Sequence, residues 1–249
     1  MKQTAFLLIF LSIACAALAQ KKKSEPKIKK DWSQVNLGNR PKDHLMFQLG
    51  TVMWMQKPDS FATKGLARTF NFNFSFDFPF KTDPRFSVGL GVGVGSDHMF
   101  FDRSARRELS INNPVGVRFA RNMGADTAIV YRSQKLHTAY LEAPVELRFM
   151  TKPETPNKSL KFALGLKVGT MLTAVDKARY TRDAQGNTTY NSKIKDRKHF
   201  NNVRIAATAR VAMGNFGVFA QYQINDFIRE GQGPNQIRPF SFGITVSGL

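Results

Sequence analysis

Phe70-Asn71-Phe72-Asn73-Phe74-Ser75-Phe76-Asp77-Phe78-Pro79-Phe80 places six phenylalanines at strictly alternate positions. Side chains alternate across a β-strand with a period of two, so this segment carries one continuous aromatic face over roughly 35 Å, at about 3.3 Å per residue. A strand with lipid on one face and a polar interior on the other has this composition, which predicts a closed barrel crossing a bilayer.

Seven more segments repeat the two-residue period. They run from about 43 to 55, 85 to 100, 136 to 150, 160 to 174, 203 to 211, 216 to 224 and 240 to 246. In the segment from 85 to 100, Phe86, Val88, Leu90, Val92 and Val94 alternate with Ser87, Gly89, Gly91, Gly93 and Gly95. The connections alternate in length. Residues 81–84, 151–159 and 214–215 make short turns, whereas 56–66, 101–133, 176–198 and 225–237 are long. Short turns at one end and long loops at the other match the periplasmic and external ends of an outer-membrane barrel. The expected fold is therefore all-β, an antiparallel up-and-down transmembrane β-barrel of eight strands. Val115 to Ala120 and Thr127 to Arg132 leave ten strands open, either as a fifth pair or as a hairpin above the membrane. Pro144, in mid-strand, removes a ladder donor, and a bulge between Ala143 and Val145 is expected there.

A secreted soluble barrel, with its apolar face inward around a small ligand, is the competing all-β reading. The opposite faces favour the membrane. Their Gly, Ala and Ser residues suit a narrow lumen, and their charges carry both signs. Asp77, Glu142, Glu146, Arg148, Lys161, Lys167, Arg204 and Arg210 are expected to form a lumenal network of hydrogen-bonded ion pairs, because a lone buried charge is too costly. Eight strands leave an interior about wide enough to be filled by side chains, so no open channel is expected.

The chain has 249 residues, with 37 Lys and Arg against 18 Asp and Glu, a net charge of +19. Such an excess suggests an anionic partner. Met1-Lys2 followed by the apolar run from Ala5 to Ala19 reads as a cleaved export signal over residues 1–19, which argues against nucleic acid. Ala14-Cys15 also permits a lipoprotein reading. Removal of the leader would take Cys15, the single cysteine, and with it any disulfide, thiolate metal site or cysteine nucleophile. Residues 20–42, rich in lysine, read as a disordered basic lead-in in the periplasm, and 43–249 as the barrel.

Tyr140-Leu141-Glu142-Ala143-Pro144-Val145-Glu146-Leu147-Arg148-Phe149, then Phe162-Ala163-Leu164-Gly165-Leu166-Lys167-Val168-Gly169, and the closing Phe242 to Leu249 resemble the outer-membrane β-barrel domain family abundant in Bacteroidota. The resemblance covers the chain from about His44. It implies a small porin-like barrel in the cell outer membrane, inserted by the barrel-assembly machinery, and no particular activity. Many barrels end in an aromatic residue, and Leu249 departs from that pattern.

Ser96, Asp97, His98, Asp126, His137 and His199 are the candidates for chemistry at the external rim. Parity speaks against a shared lumenal site, since His98 falls in phase with Val92 and Val94, and His137 with Leu141 and Ala143, which points both toward the lipid interface. No metal-ligand spacing is present and no cofactor is expected. The glycine alternation from Gly89 to Gly95 has no following helix, so it is not a nucleotide loop. Arg103, Arg106 and Arg107 in one long loop, and Lys193, Lys195, Arg197 and Lys198 in the next, are candidate anion-binding groups for phosphates of lipopolysaccharide or an acidic partner. The expectation is a non-enzymatic, monomeric barrel of structural or binding type, bound to outer-membrane lipid. The alternatives are a narrow porin or a rim-located lipid-modifying enzyme.

Overall fold

The computed structural model describes residues 43–56, 67–101, 107–111, 116–121, 130–181, 188–234 and 236–247. The expected leader and basic lead-in, together with Arg103, Arg106, Asp126 and Leu249, lie outside these residues. Among the described residues eleven strands are formed: β1 Asp43–Met55, β2 Arg68–Pro79, β3 Phe86–Phe101, β4 Arg107–Ser110, β5 Arg118–Arg121, β6 Val130–Met150, β7 Leu160–Thr181, β8 Thr189–Lys195, β9 Val203–Met213, β10 Phe216–Gln223 and β11 Arg238–Ser247. Eight of them close a ring in the order β1-β2-β3-β6-β7-β9-β10-β11, and β11 returns to pair with β1. All neighbours in the ring are antiparallel.

The other three strands stand outside the ring. β4 pairs only with β5 as a separate ribbon, and β8 pairs with the long extension of β7. The ribbon partner of Arg118–Arg121 is therefore Arg107–Ser110, not the segment near 127–132, whose end begins β6. β6 and β7 reach well beyond the expected strand ends because their pairing continues up to Val130↔Thr181.

The phenylalanine face points out. Phe70, Phe76 and Phe78 are exposed, while the intervening Asn71, Asn73, Ser75 and Asp77 are buried. The same alternation puts Leu164, Leu166 and Val168 of β7 outside and Lys167 inside. Phe86, Phe149 and Phe162 stand on three adjacent strands near the short turns, with ring centroids 5.0 and 6.4 Å apart. They form part of an aromatic girdle of the kind that marks a membrane interface.

The short-turn end is tied by local bonds. In the β2–β3 turn, Arg85 donates from Nε and Nη2 to Asp83 at 2.9 and 2.6 Å. That hydrogen bonding holds the Asp83 carboxyl below its ordinary pKa. Gly214, with φ of 61°, makes the β9–β10 turn and donates to the Ser159 carbonyl at 3.1 Å. Few other residues tolerate that left-handed backbone.

Pro144 does not make the expected bulge. Its side chain is buried on the inner face, and the β6–β7 register runs through it unbroken as Pro144↔Lys167. On the β3 side the pairs at Ala143 and Pro144 lapse, but Leu90↔Val145 and Gly93↔Glu142 keep one register. A missing donor thus costs local bonds without shifting the strand. The β6–β7 register shifts instead between Tyr131 and Ser133 and between Ala139 and Tyr140, at the latter because β7 carries Leu172 as an extra residue.

Candidate functional site

The lumen holds two clusters of charges built from chords across the ring. Arg204 on β9 reaches Asp97 on β3 at 3.0 Å and Glu142 on β6 at 3.5 Å. Its guanidinium also lies over the Tyr140 ring, 4.7 Å from the centroid. Lys167 on β7 contacts Glu142 at 3.1 Å and donates to Gln221 on β10 at 3.0 Å. Nearer the short turns, Glu146 accepts from Arg210 at 2.8 Å and from Arg148 at 2.9 Å. Arg148 continues to Asp77 at 3.5 Å and to Ser75 at 2.8 Å on β2, and Ser87 donates to Asp77 at 2.6 Å.

These contacts bring together Asp77, Glu142, Glu146, Arg148, Lys167, Arg204 and Arg210, with four carboxylates and four cations once Asp97 is included. Lys161 is half-buried and lines a small cavity near the short turns. Asp97 was legible as a lumenal residue, since it is in phase with Gly89 to Gly95. Its neighbours Ser96 and His98 nevertheless group it with the rim candidates.

This geometry, with a lipid-suited exterior around a charge-balanced interior, coincides with a family match over residues 44–248. The chain belongs to the outer membrane protein β-barrel domain family. Two solved structures of Ail, the attachment invasion locus protein of Yersinia pestis, are also similar to it. One of them is in complex with the heparin analogue sucrose octasulfate. Their identities are 12% and 13%, each with a TM-score of 0.33, covering 83% of this chain and 97% of theirs. No curated protein sequence matches the chain.

Glycines make room for the charges of this outer-membrane barrel. Each lumenal glutamate of β6 is flanked by glycine on both sides, as Gly93–Glu142–Gly169 and Gly89–Glu146–Gly165. A Cβ on Gly169 would come within 2.9 Å of the Glu142 Cγ, and one on Gly95 within 2.9 Å of its Oε2. The alternating glycines are thus the space into which the long side chains lie.

At the long-loop end the lumen of the barrel turns apolar. Trp54 of β1 packs on Phe101 of β3 and on Phe227, with centroids 5.8 and 5.4 Å away, and Phe227 packs on Phe200 at 4.9 Å. Ile111, Val117, Ile228 and Ile237 join the buried cluster, brought in by the segments flanking the β4–β5 ribbon and by the 224–237 loop. The Val117 amide donates to the Gln232 carbonyl at 2.6 Å, which locks ribbon to loop. Sequence reasoning missed this plug, because loop residues have no period to reveal which of them fold inward.

Two cavities in the lumen are small. One of ≈ 30 Å³ is lined by Met46, Asp77, Arg148, Lys161 and Arg210, and one of ≈ 10 Å³ by Gln48, Asn73, Glu146 and Lys167 among others. Either volume is on the scale of one or two waters.

The rim candidates separate. Ser96, His98 and His137 share the outer face, with the Ser96 Oγ 3.3 Å from the His98 Nε2 and 3.0 Å from the His137 Nε2. The two imidazoles are stacked at 4.4 Å. Asp97, the acid that a Ser-His arrangement would need as orienter, points into the lumen at Arg204. His199 is buried among the loops, its Nδ1 2.7 Å from the Gln232 Oε1. Among the described residues no three His, Cys, Asp or Glu side chains gather as a metal site.

The basic candidates need one correction. Lys193 and Lys195 belong to strand β8 and not to a loop, and Ile194 between them packs inward on the plug. The strand extends there because β7 offers it a paired edge. Arg197 donates to the Met171 carbonyl at 2.8 Å, and Lys198 pairs with Asp196 at 3.2 Å. Burial alone would raise the Asp196 pKa, but the hydrogen bonds and charge of Lys198 outweigh it and hold the group below its ordinary value. Arg107 opens β4, and its side chain is not among those described.

Proposed function

We propose that this chain is a non-enzymatic outer-membrane barrel of structural or binding type, sealed along its lumen and acting through its basic external surface. The observation that carries this reading is the double closure of the interior. An apolar plug of Trp54, Phe101, Phe200 and Phe227 lies above ion pairs that cross from β2, β3 and β6 to β7 and β9. A solute entering the barrel would have to break buried pairs that cost several kcal/mol each to disrupt.

The experiment is single-channel recording of the purified barrel in planar bilayers. No unitary conductance steps are expected across voltages at which the bilayer is stable. Reproducible steps from the unmodified protein would replace this reading with a narrow porin. In this reading the barrel acts as a monomer in contact with outer-membrane lipid and offers its charge to phosphate-bearing groups.

A further inference from the structure

Pairing on the outer wall puts three lysines abreast. Lys135 of β6 stands opposite Lys177 of β7, and Lys177 stands opposite Lys193 of β8. Neighbouring strands lie about 4.8 Å apart, and like charges directly opposite one another are destabilising. The salt bridges formed among the described residues involve Arg85, Arg148, Lys167, Lys198, Arg204, Arg210 and Arg238, not this row. An anion lying across such a row would relieve the repulsion between its members.

The next row toward the lipid belt holds Arg68, His98 and His137, side by side on β2, β3 and β6. Lys135, Lys177 and Arg68 all act electrostatically on His98, so the two rows form one patch. Its height fits a particular source of anion. From Phe149 in the aromatic girdle, β6 rises about 3.3 Å per residue at a tilt of about 40°, so the apolar band of about 25 Å ends near Ala139. His137 then lies at the interface, and the lysine row lies one step above it, at headgroup level.

We infer that the Lys135–Lys177–Lys193 row, with Arg68, His98 and His137 beneath it, is a binding site for the phosphate groups of an outer-leaflet glycolipid of the lipid A type. The inference deepens the proposed binding role and rests on the external basic surface invoked there. It places the site on the barrel wall, where a lipid arrives laterally with its acyl chains already against Val94, Leu141 and Leu172, which are exposed.

The test uses the full-length barrel in detergent, with its heat-unfolding midpoint read by gel mobility as lipid is titrated in. Diphosphorylated lipid A is expected to raise the midpoint, and its dephosphorylated form to do much less. The Lys135→Ala/Lys177→Ala/Lys193→Ala variant is expected to bind diphosphorylated lipid A roughly 100-fold more weakly, at about 1 kcal/mol per basic residue. A Lys152→Ala/Lys158→Ala control at the opposite end is expected to bind as the parent does. Equal protection by both lipids, or an unchanged response in the triple variant, would overturn the inference. So would equal protection by inorganic phosphate at matched concentration, which would mean a site for the anion and not for the lipid. Failure here is separable from failure of the sealed-barrel reading. A conducting protein with a lysine-dependent lipid response would sink only the latter, and a silent barrel without that response only the former.

Discussion

Replacing Glu142 with leucine is expected to lower the unfolding free energy of the barrel by about 3–5 kcal/mol, the cost of leaving buried charge without its partner. Glu142 is the carboxylate shared by Lys167 and Arg204, and all three side chains are almost wholly buried. Its loss leaves Lys167 with the neutral Gln221 amide alone, while Arg204 retains Asp97. The damage should therefore be centred on Lys167. Combining Glu142→Leu with Lys167→Met removes that orphaned cation and is expected to restore about 1–3 kcal/mol relative to Glu142→Leu alone. Urea unfolding in lipid vesicles, followed by tryptophan fluorescence, measures both. Equal destabilisation of single and double variants would mean that the pair is not coupled.

Barrel closure should be as sensitive at one pair of small residues. Gly50 of β1 stands opposite Gly243 of β11 at the seam where the first and last strands meet. A Cβ on Gly50 would run into the Phe242 carbonyl, and one on Gly243 into the Leu49 carbonyl, so the strands approach too closely there for any side chain. Gly50→Val or Gly243→Val is expected to cost about 3 kcal/mol or more, the upper range of overpacking, because both obstacles are backbone that cannot rotate away. The expected readout is loss of the compact, heat-modifiable form on unheated gels, with unassembled chain remaining. Wild-type levels of the compact form in both variants would show that the seam has slack.

Most of the architecture is written in residues that obey a period. Phe70 to Phe80 fixes which face meets lipid, and the same parity places Glu142, Glu146 and Lys167 inside, because a one-residue slip would turn every side chain over. Turn lengths point to the up-and-down order of the ring, while the count stays between eight and ten until the β4–β5 ribbon is seen to pair outside it. What parity cannot reach is the region where the period stops. Phe200, Phe227, Ile228 and Ile237 lie in loops, and their inward packing depends on contacts distant in sequence. The extension of β6 and β7 beyond the membrane, and the capture of Lys193 and Lys195 into β8, arise because a strand that clears the lipid still offers an open edge. Pro144 shows the limit from the other side. Proline chemistry forecast a disturbance, but the ladder absorbs the lost donor by omitting bonds to β3 and keeps its register.

The orientation of the phenylalanine strand underlies the whole account, and it is directly measurable. Single cysteines placed in turn at positions 70 through 77, in a background with Cys15 replaced, can carry a nitroxide label in vesicle-reconstituted protein. The account predicts that accessibility to oxygen, which concentrates in lipid, alternates with a period of two and peaks at positions 70, 72, 74 and 76. Peaks at 71, 73, 75 and 77, or a profile without alternation, would contradict a barrel with its aromatic face in the bilayer.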